Sequence, residues 1–361
     1  MEWTIPLSTS QMNTVASIGS LEGIFIASSV LIASTTAETI LASGSGNRVI
    51  VEGTVAGFDV GSRAISLGNQ AAVDSGNSIE IAVGGEVQAF NFGTAIGVSA
   101  FGSHIVNNGL VSAKDSIGIL LQGVSDTTRT TITNNGRIEA EMAIGHNGGD
   151  PASETIVLRN TGTIDGEVAS YGVFFDIFCQ SKDLITNSGL MIGDVLLNDN
   201  DDLYDGRKGS IRGDVFGGNG DDRIYGGKER NVLDGGEDDD SIRGGGGRDQ
   251  LSGGSGKDQF IFTTIGDSSV KATGRDVITD FSKIEADRID LHAIDADTTE
   301  KGNQDSDFIA KDAFGKTAGE LRFEKADGLL TLYGDVNGDG KADFAIDFDN
   351  TLKLSVGDFI S

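Results

Sequence analysis

Five tandem nine-residue repeats, beginning at Gly217, constrain this chain more than any other feature of its sequence. The copies occupy residues 217–225, 226–234, 235–243, 244–252 and 253–261, and each begins with Gly-Gly. An acidic residue or Asn recurs at the sixth position of each copy, and an apolar residue recurs at the eighth. Each copy suits a glycine-rich turn followed by a short strand. Two copies therefore predict one coil of 18 residues in a parallel β-roll.

The repeat period also predicts which side chains meet. The eighth-position residues are expected to point inward and form a thin core; they are Ile224, Leu233, Ile242, Leu251 and Phe260. Sixth-position residues that are 18 apart are expected to lie one above the other, about 4.8 Å apart. These pairs are Asp222 with Asp240, Asn231 with Asp249, and Asp240 with Asp258. Calcium binds oxygen at about 2.3–2.6 Å, so an ion between two coils contacts a carboxylate from each.

The nonapeptides resemble the GGxGxDxUx repeat of the RTX, or hemolysin-type, calcium-binding proteins. This resemblance implies that main-chain carbonyls at the second and fourth positions, here Gly218 and Gly220, also bind the ion of the first site. The pair that includes Asn231 fits the pattern less well, because an amide replaces a carboxylate there. An imperfect copy around Asp202 precedes the array and predicts a transitional coil, with Asp202 as a candidate calcium ligand.

The energetics of such a roll predict that it requires several Ca²⁺ ions to fold. One inward side chain per strand buries little apolar surface, at roughly 25 cal/mol per Å². Ordering many glycines opposes folding, and stacked carboxylates repel one another when no cation is present. The free energy of metal binding then becomes folding free energy.

The last hundred residues carry a second resemblance. Residues 276–281, 287–291 and 334–344 follow in the order found in the C-terminal domain of serralysin-type secreted metalloproteases. The resemblance covers roughly residues 217–361 and implies export by a type I (ABC transporter) system that reads a C-terminal signal. The first residues show no conventional signal peptide, which agrees with that route. The expected location is therefore extracellular, with association at a cell surface as a variant of it.

A separate candidate for calcium lies near the C-terminus. Asp335, Asn337, Asp339 and Asp343 form a DxNxDGxxD loop, and alternating oxygen side chains around a Gly turn can wrap one Ca²⁺. The twelfth place of this loop is Ile346 rather than a bidentate Glu, so an EF-hand proper is excluded. An Asp/Asn-rich turn without calcium is the alternative.

Residues 1–190 contain a longer period. Four similar segments place glycines at 109, 136, 162 and 189, in steps of 27, 26 and 27. β-Branched residues on both sides of these Asn/Gly turns predict the short strands of a β-solenoid. An Asn at a fixed place in each coil is expected to form a side-chain ladder along the stack. The segment loosely resembles the β-helical passenger segments of bacterial surface and secreted proteins, and its sequence shows no cluster of aromatic or basic residues that would mark a groove.

The sequence thus predicts an all-β fold in three parts. These are a β-solenoid at 1–190, a calcium-bound parallel β-roll at 191–262, and a small β-rich, serralysin-like secretion domain at 263–361. The formal net charge of −28 argues against nucleic acid and anionic lipid as partners. The longest apolar stretch, residues 24–33, is too short to span a membrane.

No catalytic motif is evident in the sequence. The three histidines, His104, His146 and His292, do not form the HExxH motif of zinc proteases, and GxSxG and P-loop motifs are also missing. We therefore predict a non-enzymatic, calcium-binding, secreted RTX protein whose solenoid binds a glycan, a matrix or a cell surface. A secreted polysaccharide lyase or epimerase is the main alternative, and a structural surface-layer component is a third hypothesis.

Overall fold

The computed structural model describes residues 2–4, 9–11, 16–35, 38–68, 74–122, 129–146, 155–166, 171–175, 182–326, 328–350 and 353–360. The described residues form β-strands and two short 3₁₀ helices, without an α-helix, so the predicted all-β class is confirmed. Within this part of the chain, no helix has the length and apolar character needed to cross a bilayer. The chain forms two compact units: the solenoid unit (Met1–Tyr204 and Ile211–Gly213) and the roll unit (Asp205–Ser210 and Asp214–Ser361).

The solenoid unit is built from short strands that follow one another along the chain. They are β1 (Glu2–Thr4), β2 (Thr9–Gln11), β3 (Ala16–Ile18), β4 (Glu22–Ile26), β5 (Leu31–Ser34), β6 (Ile40–Ala42), β7 (Arg48–Val51), β8 (Thr54–Gly57), β9 (Arg63–Leu67), β10 (Ser78–Ile81), β11 (Glu86–Ala89), β12 (Thr94–Val98), β13 (His104–Asn107), β14 (Leu110–Leu121), β15 (Arg129–Asn134), β16 (Arg137–His146), β17 (Thr155–Asn160), β18 (Thr163–Asp165), β19 (Tyr171–Phe175), β20 (Lys182–Asn187), β21 (Leu190–Ile192) and β22 (Asp194–Asp199).

These strands stack in parallel on three faces, which makes the unit a three-sided β-solenoid. The first face runs β1-β4-β7-β10-β13-β15-β17-β20. The second runs β2-β5-β8-β11-β14-β16-β18-β21. The third runs β3-β6-β9-β12-β14-β16-β19-β22, because the long strands β14 and β16 each turn the corner between two faces.

The predicted asparagine ladder is present on the inner side of the first face. The Nδ2 of Asn107 donates to Oδ1 of Asn134 at 2.8 Å, Asn134 donates in the same way to Asn160 at 2.8 Å, and Asn160 donates to Asn187 at 2.9 Å. All four side chains are at most 1% exposed. An amide carries both donor and acceptor, so each side chain bonds to the next, and the remaining amide hydrogens of Asn107, Asn134 and Asn160 go to backbone carbonyls of the solenoid.

The repeated glycines of the solenoid serve close stacking between coils. A Cβ built on Gly136 would lie 2.2 Å from the carbonyl oxygen of Gly109, and one on Gly162 would lie 2.1 Å from that of Gly136. No other residue type fits at that distance from a neighbouring backbone. The glycines that recur every 26 to 27 residues therefore mark the places where successive coils come closest.

The fold also brings together aromatic residues that are scattered in the sequence. Phe58 and Phe90 lie on neighbouring coils with their rings stacked, 4.7 Å apart at an interplanar angle of 2°. Both rings are partly exposed, and Phe92, two residues after Phe90 in the sequence, is 69% exposed. The expectation that the solenoid contains no aromatic cluster is therefore wrong, because residues about 30 positions apart become neighbours once the coils stack.

The remaining strands form the roll unit and the segment that leads into it. They are β23 (Leu203–Asp205), β24 (Ser210–Arg212), β25 (Val215–Asn219), β26 (Arg223–Tyr225), β27 (Val232–Glu237), β28 (Ser241–Arg243), β29 (Gln250–Ser255), β30 (Gln259–Ile261), β31 (Val277–Ile278), β32 (Arg288–Asp290), β33 (Asp307–Ala310), β34 (Glu320–Ala326), β35 (Leu329–Asp335), β36 (Phe344–Phe348) and β37 (Phe359–Ile360). The 3₁₀ helices are Ala272–Gly274 and Val356–Asp358.

The five nonapeptides stack with the predicted period of 18 residues. Leu233 pairs with Leu251, and Ile242 pairs with Phe260, in two parallel sheets that form the two faces of the roll. All five eighth-position side chains are fully buried, as predicted. The glycine turns between the strands then form two rows, one along each edge of the roll.

The stack does not stop at the fifth repeat. On one face β29 pairs with β31 and β31 with β36, and on the other β30 pairs with β32 and β32 with β37. The antiparallel strands β34, β35 and β36 then add a meander to the first of these sheets. Phe281 joins this extension to the roll core, because its ring lies 6.2 Å from Phe260 and 5.6 Å from Phe348.

Candidate metal centre in the roll

The sixth-position residues of the repeats line the turn rows of the roll. Each follows a glycine-rich turn and comes two residues before an inward-pointing apolar residue, so the pleat of the strand turns its side chain inward as well. Asp222, Asn231, Asp240, Asp249 and Asp258 are all at most 3% exposed. The strand periodicity thus places carboxylates in a column where water has little access.

One oxygen of each carboxylate holds the coil before it. The backbone N–H of Asp222 donates to Oδ1 of Asp240 at 2.8 Å, and that of Asp240 donates to Oδ1 of Asp258 at 3.0 Å. On the other row the N–H of Asn231 donates to Oδ1 of Asp249 at 2.8 Å. The predicted pairs therefore meet at a step of 18 residues through a side-chain-to-backbone hydrogen bond.

The second oxygen of these carboxylates is left without such a bond. The Oδ2 atoms of Asp240, Asp249 and Asp258 are buried and have no hydrogen-bond partner among the described residues. A buried anionic oxygen without a partner costs several kcal/mol, so the position calls for a proton or a cation. Calcium coordinates such hard oxygen ligands, together with main-chain carbonyls.

The glycine pair that opens each repeat encloses this second oxygen. A Cβ added at Gly235 would lie 2.1 Å from Oδ2 of Asp240, and one at Gly253 would lie 2.2 Å from Oδ2 of Asp258. Gly218 and Gly220 have φ of 116° and 115°, a region open to glycine, so the turn can follow a path that other residues resist. The backbone of the turn thus forms a glycine cradle over the unpartnered oxygen. The space is too small for a side chain, so only glycine fits there.

Burial raises the pKa of these carboxyl groups far above the ordinary value of 3.8. It raises the pKa of Asp240 to about 8, and neighbouring carboxylates, Asp222 first among them, add to the effect. Burial likewise raises the pKa of Asp249 and of Asp258 to about 7. Raised pKa values mean that the ionised form of each buried carboxyl is unfavourable unless positive charge lies nearby. A divalent ion would supply that charge.

The ladder continues into residues that the 18-residue count did not reach. The backbone N–H of Asp249 donates to Oδ1 of Asp276 at 2.8 Å, and that of Asp258 donates to Oδ1 of Asp287 at 3.1 Å. Both carboxyls are buried, and burial raises the pKa of Asp276 to about 9 and that of Asp287 to about 6. Oδ2 of Asp276 again has no partner among the described residues.

The sequence did contain a signal for these two additional rungs. Residues 276–278 and 287–289 read Asp-Val-Ile and Asp-Arg-Ile, the same Asp-x-apolar pattern that fills the sixth to eighth positions of four of the five nonapeptides. Their steps from Asp249 and Asp258 are 27 and 29 residues, because loops are inserted between strands whose register is kept. A search on the three-residue pattern, without a fixed period, finds them.

Asp280 is a further carboxylate that contacts the turn of the fifth repeat. Its Oδ1 accepts the backbone N–H of Gly253 at 3.0 Å, and its Oδ2 accepts that of Gly254 at 2.7 Å. The Oγ of Ser252 donates to the same Oδ2 at 2.6 Å. Asp280 therefore closes the glycine cradle over Asp258 from the C-terminal side.

The predicted transitional coil shows the same hydrogen-bond pattern within the solenoid unit. The backbone N–H of Asp183 donates to Oδ1 of Asp202 at 2.7 Å, a step of 19 residues. Both side chains are buried. The change from asparagine rungs to aspartate rungs thus begins before the first complete nonapeptide.

Asn231 differs from the aspartates as its sequence indicates. Its Oδ1 accepts the backbone N–H of Gly227 at 2.9 Å, inside its own turn. The pair of Asn231 and Asp249 therefore has one carboxylate rather than two, which weakens its attraction for a cation.

The loop from Asp335 to Asp343 is organised by its own amides. Asp335 is fully buried, and its two oxygens accept the backbone N–H groups of Gly338 and Gly340, each at 2.8 Å. Asp343 accepts the N–H of Val336 at 2.8 Å and the Nδ2 of Asn337 at 2.7 Å.

In that loop Asn337 and Asp339 accept the N–H groups of Asp339 and Lys341, at 2.9 and 2.8 Å. The loop thus lacks the buried, unpartnered oxygens that mark the roll. Calcium binding there stays a prediction.

Among the described residues, no three carboxylate, imidazole or thiolate side chains converge on one point. A cation in the roll would therefore draw part of its coordination from main-chain oxygens, as the exposed carbonyls of glycine turns allow.

Comparison with known proteins finds a family match for the C-terminal part of the chain. A family model described as Peptidase M10 serralysin C terminal matches residues 207–361, which confirms the resemblance of that region to serralysin-type C-terminal domains. A solved structure of the AlgE6R3 subunit from the Azotobacter vinelandii mannuronan C5-epimerase is 26% identical, covers 48% of this chain and 80% of its own, and has a TM-score of 0.26. No curated protein sequence matches the chain.

Proposed function

We propose that the roll unit is an RTX module that folds around several Ca²⁺ ions. The carrying observation is the column of buried Oδ2 atoms of Asp240, Asp249 and Asp258, which face glycine cradles and accept no hydrogen bond from described residues. Without metal, protonation neutralises these groups once the pH falls below about 7 to 8, whereas calcium at extracellular concentration supplies the positive charge while the carboxylates stay ionised. The match of residues 207–361 to the serralysin C-terminal family supports the same role.

Each aspartate in this proposal has two tasks. Its Oδ1 accepts a backbone N–H of the preceding coil, and its Oδ2 is the ligand for the ion. Bound calcium stabilises the ionised carboxylate, which keeps the Oδ1 acceptor in place and so stabilises the stacking of the coils. Asp276 adds a rung of the same kind, and the carbonyls of Gly218 and Gly220 are the main-chain ligands at the first site.

The proposal places the folded protein outside the cell. Extracellular calcium modules have Kd values of about 10⁻⁴–10⁻³ M, so such a roll stays unfolded where free calcium is scarce and folds where it is abundant. An unfolded chain is also the form that a type I (ABC transporter) exporter can accept. Co-expression with such an exporter tests this route, and a chain that reaches the medium without one contradicts it.

The solenoid unit is proposed to act by binding a glycan, a matrix or a cell surface, without catalysis. Support comes from its long, regular faces, which repeat the same positions coil after coil. An activity screen on uronate polymers is the test. Turnover that substitutions in the solenoid unit abolish would replace the binding role with that of a polysaccharide lyase or epimerase.

Calcium titration of the full chain tests the central proposal. Isothermal titration calorimetry and far-UV circular dichroism are expected to show several bound ions together with a gain of β-structure. Asp258→Ala removes a carboxylate of the column and is expected to reduce both the number of ions and the gain of structure. Asp305→Ala, at an exposed position, is the matched control. A full β-signal in excess chelator overturns the proposal.

A further inference from the structure

The basic residues of the solenoid unit fall into two groups. Residues 1–190 contain seven: Arg48, Arg63, Lys114, Arg129, Arg137, Arg159 and Lys182. Three of them pair with carboxylates: Arg48 with Glu80 at 3.2 Å, Lys114 with Glu139 at 3.7 Å, and Arg137 with Glu139 and Asp165, each at 2.9 Å.

A fourth basic residue, Arg63, is partly enclosed on the third face. Its guanidinium donates to the hydroxyls of Ser66 and Ser99 and to the side-chain carbonyl of Gln122. The three basic residues that remain, Arg129, Arg159 and Lys182, are exposed and make no ion pair with any described residue.

These three residues lie on one flat face. Arg129, Thr155 and Lys182 are register partners on β15, β17 and β20, so the two charges stand two coils apart, about 10 Å. Arg159 lies on β17 between these two strands, four residues farther along, at about 13 Å. We call this group the cationic face. It corrects the expectation that no cluster of basic residues exists in the solenoid.

Alternation along the strands explains why the charges share a side. Ile132, Leu158 and Ile185 are fully buried, so residues an odd number of positions away point outward on the same strands. The only carboxylate in β13, β15, β17 and β20 is Asp183, and it is fully buried inside the coil. These four strands therefore present positive charge and contain no outward-facing carboxylate of their own, in a chain whose formal charge is −28.

Hydroxyl and amide groups fill the space between the charges. Thr131, Thr133, Thr155 and Thr186 lie on the same outward positions. Beside them, at the edge of the face, Asn135 donates to Oδ1 of Asn108 at 2.9 Å and accepts from Oγ1 of Thr161 at 2.8 Å. The cationic face is thus flat, charged and rich in hydrogen-bonding groups at regular intervals.

We propose that the cationic face binds an extended polysaccharide that carries carboxylate groups. Guanidinium and ammonium groups pair with carboxylates, and the intervening hydroxyls suit sugar hydroxyls. Large exposed apolar side chains are missing from these four strands, so the face offers no Phe, Tyr or Trp ring for stacking nucleic-acid bases and no apolar anchor for a membrane. This inference deepens the proposed binding role of the solenoid and rests on it.

The test measures binding of the full chain to immobilised hyaluronate, a carboxylate-bearing polysaccharide, by biolayer interferometry in calcium-containing buffer. The triple variant Arg129→Gln/Arg159→Gln/Lys182→Gln is expected to bind at least about tenfold more weakly, since three exposed charge pairs are lost. The matched control Arg48→Gln/Lys114→Gln/Arg137→Gln removes the same net charge from residues that are already paired, and is expected to bind like the wild type. Raising the salt concentration is expected to weaken wild-type binding.

Three outcomes overturn the inference: no binding of the wild type to hyaluronate, equal binding of the triple variant, or binding of dextran sulfate without binding of hyaluronate. Circular dichroism with and without calcium, recorded on the same samples, separates this inference from the proposed function. A chain that folds on calcium and binds a neutral dextran but not hyaluronate refutes only the cationic face. A chain that binds none of these polymers also contradicts the binding role of the solenoid.

Discussion

The solenoid and the roll stack parallel coils in the same way but fill their buried polar columns differently. In the solenoid, each side-chain amide donates a hydrogen bond to the amide oxygen of the next coil, from Asn107 through Asn134 and Asn160. In the roll, Asp240 and Asp258 occupy the comparable place, and each leaves an oxygen without a partner among the described residues. An amide is both donor and acceptor, whereas a carboxylate only accepts.

The difference shows how one change of side chain makes a fold conditional. A column of amides is complete within the chain, so its stability depends on no solute. A column of carboxylates is buried, mutually repulsive and short of donors, so its stability depends on what neutralises it. The same coil geometry thus serves as a permanent scaffold in one unit and as a calcium-dependent structure in the other.

Removal of calcium is expected to have the largest effect, and to separate the two units. In excess chelator, backbone amides of the roll, such as those of Asp240 and Asp258, are expected to lose protection from hydrogen exchange. Those of the solenoid strands β15 and β17 are expected to keep it. Exchange measured by mass spectrometry gives both answers from one sample. Equal loss of protection in the two units would contradict the comparison.

Asn134→Asp introduces the roll's chemistry into the solenoid. The substitution removes the donor to Oδ1 of Asn160 and to the carbonyl of Thr163, and buries a charge. The free energy of unfolding of the solenoid is expected to fall by about 3 kcal/mol, measured as a lower urea midpoint. Asn135→Asp, next to it but exposed, is the control and is expected to change the stability by less than about 1 kcal/mol. A similar loss in both variants would refute the role of the ladder.

Asp240→Asn makes the opposite exchange, from the roll toward the solenoid. The variant loses a carboxylate ligand, so the midpoint of calcium-induced folding is expected to rise about tenfold. At the same time the variant has one buried charge fewer, so the free energy of folding the roll without calcium is expected to be less unfavourable. Circular dichroism during a calcium titration measures the midpoint, with Asp305→Asn as the exposed control. An unchanged midpoint would remove Asp240 from the set of ligands.

In excess chelator, the stability of the roll is expected to depend on pH, whereas that of the solenoid is not. The pKa of Asp240 is raised to about 8, and the pKa values of Asp249 and Asp258 to about 7, from an ordinary value of 3.8. Their contribution to stability is fully present below 3.8 and is lost as the pH rises through about 7 to 8.

Without calcium, the roll is therefore expected to gain β-structure as the pH falls from 8 toward 5, while the solenoid's signal stays constant. With calcium, protons compete for the carboxylates, so the midpoint of the calcium titration is expected to rise over the same range. Circular dichroism at fixed calcium and varied pH checks both directions. A roll that becomes less structured on acidification in chelator would contradict the role of the buried carboxyls.

Much of the repeat architecture could be predicted from the sequence. The 18-residue step, the inward Leu233 and Leu251, and the ladder from Asn107 to Asn187 all follow from spacing, because each depends on residues that recur at a fixed interval. The cationic face was also encoded there. Arg129 and Lys182 both stand seven residues before a repeated glycine. Aligning the charged residues of the repeats, and not only the apolar ones, therefore predicts that they share a face.

The sequence by itself determined the all-β class, the two coil lengths and the identity of the buried polar rungs, since strand periodicity and repeat length are local properties. Only the tertiary structure decided that Asp276 and Asp287 extend the ladder, that Phe58 stacks on Phe90, and which carboxylate oxygens lack partners. The physical reason is that strands keep their hydrogen-bond register while the loops between them vary in length. Residues far apart in number thus become neighbours that counting alone does not pair.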